Sequence, residues 1–103
     1  MTAEEKRMLE LLESGQLDGM VGDDFYPEGR ASKVHRKYIK NGIPTMVTIT
    51  DGIKVFDGKE NYRGEPKIDK TEFTSDSDKL YFLQKYGWLI HNDEVKAYSA
   101  KFK

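Results

Sequence analysis

The residue pattern predicts one α+β domain over 1–103: an antiparallel sheet of four to six strands, with an N-terminal helix and a second helix at about 77–86 packed on one face. Three observations predict it. Asn41-Gly42 and Asp51-Gly52 separate three strand-like runs, and both dipeptides suit a two-residue reversal because they adopt positive φ at low cost. Thr2 and Glu5 form a Thr-x-x-Glu capping box ahead of Met8, Leu11 and Leu12, which share one helical face. Ser77 and Asp78 precede Leu80 and Leu83, with Gly87 as the stop.

Taken in order, the first helix spans Thr2 to Ser14, and Gly15 supplies its left-handed end. Gln16–Arg30 holds Gly19, Gly22, Pro27 and Gly29 and reads as an irregular connector tucked against the core. A three-stranded meander follows at about 32–40, 43–50 and 53–56. Around the first reversal Lys40 opposes Ile43, Tyr38 opposes Thr45 and Val34 opposes Ile49. Around the second, Thr50 opposes Ile53 and Val47 opposes Phe56. Pro44 then falls in a non-hydrogen-bonded pair with Ile39, where its missing N–H does no harm. A rival reading makes 32–40 a helix capped by Ser32. The face with Val34, Tyr38, Ile43, Val47 and Ile49 is the more apolar and is expected to meet the core. The face with Lys33, His35, Lys37, Ile39, Met46, Ile53 and Val55 is expected to face outward. A further short strand is expected near Asn61–Arg63. Trp88–His91 and Glu94–Phe102 read as two C-terminal strands joined by Asn92-Asp93.

Composition narrows function mainly by exclusion. The chain has no cysteine, so thiolate catalysis, disulfides and Cys-ligated metals are out. Met1–Leu12 lacks the basic and apolar regions of a signal peptide, and apolar runs are short, so a cytoplasmic, membrane-free protein is expected. Net charge is −1, yet residues 1–28 sum to −6 and residues 29–70 to +5. Such asymmetry marks either mutual neutralisation within the fold or a polyanion site.

No catalytic set or cofactor fingerprint stands out, and no cofactor or metal is expected. The acid–base alternative rests on Asp23, Asp24 and one of the two histidines, His35 and His91. Arg30, Lys33, Arg36, Lys37 and Lys40 form a basic segment around Tyr38, the candidate nucleic-acid contact, although no known nucleic-acid motif accompanies it. The leading expectation is a small intracellular binding or regulatory protein that contacts another protein or a second copy of itself. Its candidate contacts are Phe25, Tyr26, Ile39, Met46, Ile53 and Val55.

Overall fold

The computed structural model describes residues 1–28, 31–50, 55–56, 62–63 and 67–103; for 24–28, 31–32, 55–56, 62–63 and 67 it describes the backbone alone.

Helix α1 spans Ala3–Glu13, and its start is the expected capping box. The Glu5 N–H donates to the Thr2 hydroxyl at 3.1 Å, and the Thr2 N–H donates to the Glu5 carboxylate at 2.9 Å. Those hydrogen bonds hold the Glu5 carboxyl below its ordinary value. Met8, Leu11 and Leu12 are buried, and Gly15 follows at φ +81°.

The next element corrects the sequence reading. Gly19–Glu28 is a strand, β1, not an irregular connector. Its glycines and proline mimic loop composition, but its neighbour β2 supplies a full ladder. The register shifts between Met20 and Gly22, so Val21 is a bulged residue and is buried.

Strand β2 spans Ala31–Lys40 and β3 spans Ile43–Thr50, which removes the helical alternative for 32–40. Asn41 and Gly42 adopt φ of 54° and 75°, as a type I′ reversal requires. The register is the expected one: Lys40 opposes Ile43, Tyr38 opposes Thr45, Val34 opposes Ile49, and Pro44 opposes Ile39. The Asp18 carboxylate accepts from the N–H groups of Asn41 and Gly42 at 3.1 and 3.0 Å, which seats the reversal against the end of α1.

The outer edge of β3 is taken differently from the expectation. It pairs with β6, Lys67–Glu72, so that Val47 opposes Lys70 and Ile49 opposes Ile68. Strand β4, Val55–Phe56, instead pairs with β5, Tyr62–Arg63. The six residues of β6 satisfy more of β3 than the short 53–56 run would. Ile53 and the expected reversal at 51–52 lie outside the described residues. The main sheet has the order β1-β2-β3-β6 and is antiparallel throughout.

Helix α2 spans Asp76–Tyr86, and its cap is Ser75, whose hydroxyl accepts from the Asp78 N–H at 3.1 Å; Ser77 is not the cap. The expected C-terminal strands are helical. Gly87–Leu89 forms a 3₁₀ turn, and helix α3 spans Asp93–Ala100, capped by Asn92. Val95, Tyr98 and Ser99 fall at helical spacing and are buried. Gly87 makes their docking possible: a Cβ there would lie 2.9 Å from Val95 Cγ1 and 3.1 Å from Ser99 Cβ. The Ser99 hydroxyl donates to the Gln84 carbonyl at 2.9 Å. Arg7 donates to Glu94 through two nitrogens at 2.9 and 3.1 Å, and Lys101 reaches Glu4 at 2.8 Å, so α1 and α3 are clasped at the surface.

All three helices lie on one side of the sheet, and the side is not the expected one. Lys37, Ile39 and Pro44 are buried beneath them, joined by Leu11, Leu12, Phe82, Leu83 and Val95. Val34, Tyr38, Ile43, Val47 and Ile49 lie on the opposite face and are partly exposed. The helices bring most of the core's apolar surface themselves, so the sheet face they cover can be the poorer one.

Two outcomes follow. Gly42→Ala should lower stability by about 1–3 kcal/mol in urea unfolding, since a Cβ there would lie 2.6 Å from the Leu12 carbonyl oxygen at a positive φ. Hydrogen bonds from Arg7 hold the Glu94 carboxyl below its ordinary value. A depressed carboxyl stabilises the fold above its unfolded pKa, and the contribution is lost as pH falls through the folded value. The stability gap between the parent and Glu94→Gln should therefore be present at neutral pH and close in acid, below the ordinary carboxyl range; an unchanged gap there would assign it to something other than this charge.

Candidate interaction surface

The antiparallel ladders arrange the face turned away from the helices in cross-strand rows, because residues opposite one another share a side of the sheet. One row is Val34–Ile49–Ile68. The next is Asp23–Arg36–Val47–Lys70, and the third is Met20–Tyr38–Thr45–Glu72. Lys40 and Ile43 close the end near the reversal. Ile68 is 64% exposed and Met20 is 65% exposed, both high for large apolar side chains. A shallow depression of about 220 Å³ lies between Tyr38, Ile43, Thr45, Lys70 and Glu72.

Charge on this face is largely cancelled within it. Arg36 donates to the Asp23 carboxylate at 3.3 and 3.4 Å. Lys70 lies 3.2 Å from Glu72, whose hydrogen bond holds the Lys70 amine above its ordinary value. What remains is a β-branched centre with ion pairs beside it.

The opposite face is packed over Lys37, Ile39 and Pro44. Lys37 is fully buried, its Nζ 4.7 Å from the centre of the Tyr86 ring. The aliphatic stem lies along the core and the amine meets the ring's electron-rich face. The Tyr86 hydroxyl in turn lies 4.0 Å from the Met46 sulfur. Leu89 packs over Gly22 on this side; a Cβ there would lie in ordinary contact, 3.5 Å from Leu89 Cδ1.

These positions redistribute the residues singled out from sequence. Of the candidate partner contacts, Ile39 is buried in the core, and Met46 is half-buried on the helix side with its sulfur 4.0 Å from the Tyr86 hydroxyl. Phe25 and Tyr26 lie on β1, opposite Val34 and Lys33, and Val55 lies on β4 opposite Arg63, all described by backbone alone; Ile53 is outside the described residues. The basic segment is split between the two faces. Lys33 and Lys37 lie on the helix side and Arg36 and Lys40 on the open side, with Arg30 outside the described residues. Lys37 cannot meet a phosphate without unpacking the helix layer.

The acid–base alternative is divided as well. Asp23 is engaged by Arg36, Asp24 opposes His35 in the ladder, and His91 lies by a separate hollow with Leu17, Val21 and Leu89. Among the described residues no three His, Asp or Glu side chains group as a metal would need. Among them, too, no helix is long and apolar enough to cross a membrane.

The residues that sequence reasoning did not nominate are Met20, Val34, Val47, Ile49 and Ile68. The signal for Val34, Val47 and Ile49 was their alternation with polar residues, read as a core face; Met20 fell in the segment read as a connector, and Ile68 was assigned to no face. Compared with family models, with curated proteins and with solved structures, the chain matches none.

Removing the Lys37 side chain tests the inverted faces directly. Lys37→Ala should cost about 1–3 kcal/mol, because it leaves a void beneath Tyr86 and removes the ring contact. Arg36→Ala, at an exposed ion pair, should change stability by less than about 0.5 kcal/mol. Equal effects in denaturant titration would contradict the burial described here.

Proposed function

We propose that this chain is a protein-binding module that acts by contact rather than catalysis, burying the open face of its main sheet against a weakly charged, apolar surface of another polypeptide. The observation that carries the reading is the row Val34–Ile49–Ile68 beside Val47, which no helix among the described residues covers, on a sheet whose other side packs Lys37, Ile39 and Pro44 under the helices. Contiguous apolar surface of this kind is uncommon on an isolated domain and marks a contact site. An intracellular, regulatory setting is the form of this reading that the sequence favours.

The charges support a protein partner over a nucleic acid. A phosphate backbone is held by uncompensated Lys and Arg, whose counterions are released on binding. On this face Arg36 and Lys70 each have a carboxylate beside them, which leaves Lys40, at the end near the reversal, as too little positive charge for a phosphate track. The edges support face contact over strand addition. Edge strand β1 carries a bulge and the Asp23-Asp24 pair, and edge strand β6 carries Lys67, Asp69, Lys70 and Glu72. Bulges and charges are the usual guards against edge pairing.

A photoreactive amino acid at position 47 should form an adduct of discrete mass in the cells that make this protein, and the same group at Ala97, exposed on α3, should not. Ile68→Lys should abolish the adduct. Absence of any adduct from position 47, or an equal adduct from position 97, would overturn the reading.

A further inference from the structure

Resting on that reading, we infer that the occupant of the open face is a second copy of this chain, packed sheet to sheet about a two-fold axis running parallel to the strands between β2 and β3. Such a rotation keeps every cross-strand row at its own height. It exchanges β1 with β6 and β2 with β3.

The rows complement themselves under that operation. Val34 comes to face Ile49 of the second copy, and Ile49 faces Val34 in return. In the charged row Asp23 faces Lys70 of the second copy, and Arg36 faces Val47, whose row also holds Asp23. In the third row Met20 of the second copy stands over the Glu72 side of the depression bounded by Tyr38, Thr45 and Lys70. The most exposed apolar side chain of β1 thus meets the one hollow described on that face, twice per dimer.

The alternative two-fold, across the strands, pairs each strand with itself and so never sets Asp23 against Lys70. Centred on the charged row it stacks Asp23 on Asp23, Arg36 on Arg36 and Lys70 on Lys70. Centred one step along it sets Val34 against Lys40. The Asp23–Lys70 pairing therefore favours the axis along the strands.

Area sets the strength. Four strands about 4.8 Å apart and about 26 Å long present about 500 Å² per copy, so a dimer buries about 1,000 Å², the lower limit for a specific interface. The dimer should therefore be weak, dissociating at about micromolar concentrations or above. Aligned packing of two twisted sheets, about 10 Å apart, accommodates the contact without changing either backbone.

Sedimentation equilibrium on the purified chain, from about 1 μM to about 1 mM, should show a mass rising toward twice that of the chain. Asp23→Lys alone and Lys70→Asp alone should each weaken the dimer by about tenfold or more, and the double variant should return to within about threefold of the parent. Ile49→Lys should give a folded monomer, with an unchanged circular dichroism spectrum, since the position is only partly buried. A monomer at every concentration, or single variants whose defect the double variant does not repair, would overturn the inference. A monomer in solution with a position-47 adduct to a different protein would end the dimer and leave the binding reading standing. No adduct at all would end both.

Discussion

Lys37 lies fully buried with its Nζ over the Tyr86 ring, and this contact marks the side of the sheet that the helices occupy. A sheet can pack one layer on either face, and the choice commits every residue of alternating parity at once. Here Lys37, Ile39 and Pro44 go inward as a set, with Met46 beneath Tyr86. Val34, Tyr38, Val47 and Ile49 are left outward as the complementary set. A lysine is tolerated inside because its stem is hydrocarbon and its amine finds an aromatic face.

The helical layer explains why the richer apolar face is not needed for folding. Leu11, Leu12, Leu80, Phe82, Leu83, Val95 and Tyr98 pack largely on one another. Tilted ring contacts link Phe73, Phe82 and Tyr86 at centroid distances of 5.2 and 5.1 Å and carry the packing down to the sheet. Gly87 lets α3 settle against the end of α2, and Asp18 anchors the reversal at residues 41–42. A fold closed in this way retains a second apolar surface beyond what its own core uses. That surplus is the physical basis of the proposed intermolecular contact.

Much of the local structure was legible in the chain. The capping box at Thr2 and Glu5 located α1, the Asn41-Gly42 dipeptide located the hairpin, and the pairing of 34–40 with 43–49 followed from its geometry. β1 was illegible because Gly19, Gly22 and Pro27 are loop-like residues and only the β2 ladder makes them a strand. The 3₁₀ turn and α3 were illegible because short segments rich in Trp, Leu, Val and Tyr satisfy strand and helix patterns alike. The candidate surface was half legible: Val34, Tyr38, Ile43, Val47 and Ile49 were grouped correctly on one face, that face was then placed on the wrong side, and Met20 and Ile68 were not among them.

The sequence by itself determined periodicity: which residues reverse the chain, which begin helices, and which side chains stand together across two strands. Those are local properties, carried by φ preferences, caps and the twofold alternation of a strand. Only the tertiary structure decided where the helices land, since that depends on summed packing between elements distant in sequence, and on Lys37 finding Tyr86 forty-nine residues away. Alternation names two faces without saying which is inner, and the helices, by covering one, leave the other to be met from outside.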